Sequence, residues 1–145
     1  MTTVPPASPA IKLRALDAED LKVVAACLQD AIVPIVEVAY LPDDQQFLMV
    51  VNRFKWENAG RDGVPDERTN CVISVLGVTA VRRRGIDLLD RALVLDLLTL
   101  VPSADGIDLI FAGDGAIHLT APGWRCFVKD IGEPWPAVAV PRHGE

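Results

Sequence analysis

Apolar residues recur at every second position through much of this chain, and that spacing limits its fold more than any other feature. A period of two places alternate side chains on opposite faces of a strand. From Ile35, the residues Val36, Val38 and Tyr40 alternate with Glu37, Ala39 and Leu41. The stretch "PDDQ" at 42–45 follows and reads as a turn, because proline fixes φ and aspartate bonds nearby amides. Phe47 to Trp56 returns as a strand, which makes the clearest hairpin in the chain. The pattern recurs at 107–111 and 117–120, on either side of Gly113-Asp114-Gly115. A phosphate loop opens into a helix whose amides face the anion. These glycines open into a second alternating segment, neither glycine-rich nucleotide signature is present, and Asp114 would repel phosphate. Asp114-Gly115 therefore reads as a hairpin turn.

Shorter strands are expected at Ile11–Leu16, within Asn70–Arg84 (with Gly77 as a bulge) and at Ala92–Val101. The polar run "ENAGRDGVPDER" after Trp56 reads as a loop. Two segments carry helical spacing instead. After Asp17 as N-cap, Leu21, Val24, Ala25 and Leu28 share one face of a helix running to about Asp30, and Pro34 prevents its continuation. Trp124, Phe127, Val128 and Ile131 fall at the same intervals, with Pro122 before them and Gly132 and Pro134 after. That spacing predicts a terminal helix. The expected class is α+β: a predominantly antiparallel sheet of about six to seven strands, packed by an N-terminal and a C-terminal helix. A curved barrel of the pleckstrin-homology kind is one concrete form. A single domain over 11–136 is expected, with a disordered lead at 1–10 and a flexible tail at 137–145.

Composition narrows the function classes. A chain of 145 residues with net charge −6 lacks the basic excess of a nucleic-acid binder. Cys27, Cys71 and Cys126 are odd in number and widely spaced, which supports neither a zinc site nor a disulfide framework. The start has neither a basic region nor an apolar core of a signal peptide, and no apolar run reaches a spanning length. A cytoplasmic protein is expected, with no metal, no cofactor, and neither nucleic acid nor membrane as partner.

The segments "LKVVAACLQDAIV", "VAYLPDDQQFLMVVNRFKWE", "VRRRGID", "LIFAGDGAIHL" and "DIGEPW", with "PRH" near the end, together carry a resemblance. From about Leu13 to His143 the chain resembles the alphaproteobacterial domain-of-unknown-function family 2948. The resemblance implies a bacterial cytosolic setting and transfers no catalytic residue.

Candidate chemistry is sparse. The histidines are His118 and His143, and only His118 lies within the expected domain, where it is a weak candidate for a general base. The stronger feature is focused positive charge: Arg53 and Lys55 on one face of a strand, with Phe54 and Trp56 opposite, and Arg82-Arg83-Arg84 at the end of another. Convergence of these five would make a cationic patch for an acidic partner or a small anionic ligand. The leading expectation is a non-catalytic binding or adaptor module. The alternatives are a small enzyme using His118 on an anionic substrate, and a homo-oligomeric structural protein, the last because mean hydropathy is +0.27.

Overall fold

The structure, a computed structural model, describes residues 9–138 and residue 141. Most of the expected lead, and all of the expected tail except residues 137, 138 and 141, lie outside the described residues, His143 among them. The elements are β1 (Lys12–Ala15), α1 (Ala18–Leu28), β2 (Ala31–Pro34), β3 (Val38–Leu41), β4 (Gln46–Phe54) and β5 (Glu67–Leu76). There follow β6 (Ala80–Arg84), β7 (Val94–Ser103), β8 (Gly106–Phe111), β9 (Ala116–Thr120) and β10 (Arg125–Pro136). All pairings are antiparallel, in the order β1-β10-β5-β4-β2-β7-β8-β9-β6, with β3 also on β4. The antiparallel α+β reading holds. Among the described residues the strands number ten rather than six or seven, one α-helix is present rather than two, and the sheet is curved without closing into a barrel.

The C-terminal helix expected from Trp124 to Ile131 is β10. Its apolar residues satisfy both periods at once. Cys126, Val128 and Asp130 alternate inward and are buried, whereas Ile131 lies 37% exposed, so no single helical face is covered. Pairing decides the matter. β10 lies between β1 and β5 and bonds to both, which satisfies its backbone groups along two edges.

The first helix forms as expected. Asp17 caps it by accepting from the Asp20 amide at 2.8 Å, and Leu21, Val24 and Leu28 are buried. It ends before Pro34, which closes β2 instead of stopping the helix. Gly77 lies in the β5–β6 connection with φ +83, not in a bulge. The Gly113 turn is confirmed but displaced by one residue: Gly113 and Asp114 take the positive φ values of 78° and 69°, and β9 follows directly.

The sheet must curl. Five steps of about 4.8 Å separate β1 from β7 in the strand order, roughly 24 Å if flat, yet both pack on α1, whose eleven residues span about 16 Å. Curling brings Phe47, Met49, Ile73, Leu97, Leu109, Phe111, Leu119 and Val128 into one core with the helix. Gly106 marks the tightest approach within it. A Cβ there would stand 1.8 Å from the Leu119 carbonyl oxygen on β9. Gly106→Ala is therefore expected to force β8 from β9 and to destabilise the fold by about 1–3 kcal/mol, read as a lower urea midpoint at unchanged slope.

Candidate functional site

The basic segment of β6 sits at the end of the sheet, and its register sorts its side chains onto two faces. Arg83 opposes Ile117, which opposes Leu109, and Val81 opposes Leu119, which opposes Ile107. The four partners are buried, so Val81 and Arg83 belong to the core-facing row. Arg82 opposes His118, which opposes Asp108, and this row lies on the outer face together with Arg84. Arg82, Arg83 and Arg84 are all exposed.

A cavity of 660 Å³ opens beside the core-facing row. Val38, Ala39 and Tyr40 of β3 form one wall, and Val81, Arg82 and Arg83 of β6 the other. Ile35, Phe47, Ile86 and Ile117 supply further apolar lining, and Leu88 and Arg91 come from the connection between β6 and β7. Among the described residues, no carboxylate is within ion-pair distance of Arg82, Arg83, Arg84 or Arg91. A smaller concavity of 430 Å³ on the outer face gathers the three β6 arginines with Asp108 and His118. Sequence reasoning missed Arg91. It stands alone in a loop, and only folding brings it to the groove.

His118 is held rather than poised. Its Nδ1 lies 2.5 Å from Asp108 Oδ1. Its Nε2 lies 3.1 Å from Asp105 Oδ1, but the angle makes no hydrogen bond, and the atom is buried. Neither ring nitrogen is open toward the concavity.

Arg53 and Lys55 do not join this site. β4 and β6 are not neighbours, and both side chains are buried. The inward row of β4 is Phe47, Met49, Val51 and Arg53, so the guanidinium takes the next core position. There its Nε donates to Asp130 Oδ1 and its Nη2 to Asp130 Oδ2, both at 2.7 Å. Its Nη1 and Nη2 also donate to the two Glu57 oxygens at 2.9 and 2.7 Å. Asp130 Oδ2 further accepts the Ile11 amide at 2.9 Å, which ties down the approach to β1. Lys55 stands 3.8 Å from Glu67, with both side chains largely covered. The signal was present in the sequence: Arg53 shares parity with Phe47, Met49 and Val51, and Asp130 with Cys126 and Val128.

Burial works to lower the pKa of Arg53, but its hydrogen bonds to Asp130 and Glu57 outweigh that and raise it. Burial likewise pushes the Asp130 and Glu57 carboxyls up, and the Arg53 guanidinium overcomes it, so both titrate below their ordinary values. Burial dominates at the thiols. It pushes Cys71 up to about 12, with the Asp130 charge adding to it, and Cys126 up to about 12. Thiolate chemistry near neutral pH has no support at either. Among the described residues, no cluster of histidine, cysteine and carboxylate side chains could hold a metal, and no helix is long and apolar enough to cross a membrane.

A family model described as a protein of unknown function, DUF2948, matches residues 11–143. The chain belongs to the DUF2948 family. No curated protein and no solved structure matches it. The family supplies no activity, so the chemistry of this DUF2948 protein has to be argued from its own surfaces.

Removing one partner of a buried ion pair strands the other charge, at a cost of about 3–5 kcal/mol. Asp130→Ala is expected to destabilise the DUF2948 fold by about that amount in urea, and Arg53→Met, Asp130→Leu and Glu57→Gln together, which leave no member of the network charged, to recover most of it. Depressed carboxyl pKa values mean that the unfolded chain binds protons which the folded chain refuses. The stability from Asp130 and Glu57 is thus fully present above their ordinary values of 3.8 and 4.5 and is lost as pH falls through the lower folded values. Unfolding midpoints measured between about pH 7 and pH 2 should fall steeply in acid for the native chain, and less steeply for the triple variant.

Proposed function

We propose that this protein is a non-catalytic binding module whose groove between β3 and β6 takes an anionic ligand with apolar parts. The observation that carries the reading is the placement of Arg82, Arg83 and Arg91 beside an apolar cavity, exposed and without carboxylate partners among the described residues, in a chain of net charge −6. Arginines that merely solvate an acidic surface would be expected to pair with its abundant carboxylates. An apolar hollow with a few convergent charged groups is the usual form of a ligand site. The guanidinium fork favours carboxylate, sulfonate or phosphate groups.

A small enzyme using His118 is the second reading, favoured by the row Arg82–His118–Asp108 in one concavity. It has less support, because a general base needs a ring nitrogen within reach of the substrate's proton. Here Nδ1 is taken by Asp108 and Nε2 is buried against Asp105.

The test uses anilinonaphthalene sulfonate, an aromatic ligand with one fixed negative charge. Its fluorescence should rise saturably with the native protein and weaken as salt is raised, because rim charges are screened. Arg83→Glu with Arg91→Glu should lower its affinity at least about tenfold, equivalent to about 1.4 kcal/mol, with thermal unfolding nearly unchanged. Equal affinity in the native and doubly substituted proteins would count against the groove.

A further inference from the structure

Among the described residues β6 ends the strand order and pairs only with β9, and β3 pairs only with β4. Each leaves one row of backbone N–H and C=O groups without a strand partner, and both rows border the 660 Å³ cavity. The gap is bridged at one end. The Tyr40 hydroxyl donates to the Val78 carbonyl at 3.3 Å, and the Val78 amide donates to the Gln45 carbonyl at 2.9 Å. Beyond that point, no backbone hydrogen bond joins β3 to β6 among the described residues. The curled sheet thus lacks a strand between two edges, over an apolar floor.

We propose that the occupant is an extended acidic peptide that adds to β6 as a further strand, a proposal that rests on the binding-module reading. A free sheet edge gives affinity through main-chain hydrogen bonds, and the flanking surface selects alternate side chains. Both faces of the incoming strand are specified. Its inward residues meet Ile35, Phe47 and Ile117, which fits aliphatic side chains. Its outward residues run beside the row of Arg82 and Arg84, which fits glutamate or aspartate. The five residues of β6 offer about 17 Å of edge, the length of a five-residue strand.

Local carboxylates do not satisfy these arginines. Asp87 accepts the Leu89 amide at 2.9 Å, Asp90 accepts the Ala92 amide at 3.2 Å, and Asp108 is engaged with His118. A second copy is a poor occupant, because pairing β6 with its own copy sets one arginine run against the other. Like charges directly across a strand pair are destabilising.

The experiment is fluorescence anisotropy with a fluorescein-labelled heptapeptide alternating glutamate and valine, capped at its C-terminus, titrated with the full chain. Saturable binding is expected. Lysine in place of glutamate, or Arg82→Glu with Arg84→Glu in the protein, should weaken it at least tenfold. Two further peptides carry N-methyl groups on alternate backbone amides, one peptide for each phase, which removes one row of edge hydrogen bonds and keeps every charge. One phase should abolish binding and the other spare it. Equal binding of both methylated phases would overturn strand addition while leaving an arginine-flanked anion site. Failure of the acidic peptide to bind, with anilinonaphthalene sulfonate still held, would overturn the peptide as occupant. Failure of both ligands would overturn the site itself.

Discussion

Arg53 is a charged side chain in the inward row of a core strand, fully buried and flanked by carboxylates from β10 and from the turn after β4. Such a charge is tolerable inside a protein only where its hydrogen bonds are met by opposite charge. That requirement reaches well beyond the pair. Asp130 must lie on β10 in register with β5, and through its other oxygen it receives the Ile11 amide just before β1. One guanidinium thus fixes how β4, β10 and the entry to β1 sit relative to one another. A hydrophobic residue in its place would bury as well but would specify no angle or distance.

The opposite end of the sheet is built on other terms. There the strands are short, β6 is dominated by arginine, and the edges of β3 and β6 face a common hollow. Charged edge strands commonly protect a sheet from pairing with stray chains. The same arginines, without carboxylate partners among the described residues, are the basis for the proposed ligand of opposite sign. Blocking indiscriminate pairing and admitting one acidic strand are compatible, since the discrimination lies in charge rather than in the backbone. The ten-stranded sheet accordingly has one end tied by a buried ion-pair network and another that ends in an exposed, arginine-rich edge strand.

Several features were legible from residue spacing. The Asp17 cap and the apolar face of α1, the β3–β4 hairpin with its "PDDQ" turn, and the β8–β9 hairpin are all local patterns. Each is fixed by contacts among residues close in sequence. The segment from Trp124 to Ile131 misled because its apolar positions fit helix and strand alike. Long-range pairing with β1 and β5 selected the strand. The cationic residues divided for a related reason. Arg82 to Arg84 read as exposed and are exposed, whereas Arg53 and Lys55 read the same way and are interior. The parity of Arg53 with Phe47, Met49 and Val51 carried the warning, but only a buried acid arriving from β10 makes that position tenable.

By itself the sequence determined the alternation that makes this an antiparallel sheet protein, the capped first helix, the turn chemistry and the location of the arginine run. Those are matters of backbone preference and side-chain period within a few residues. Tertiary structure alone decided which arginine is a structural ion and which are free, that β10 is a strand, and that β3, β6 and Arg91 border one groove. These depend on residues far apart in the chain meeting in a curled sheet. The free energy that selects among the alternatives, in desolvation, ion pairing and strand-edge hydrogen bonding, exists only once they have met.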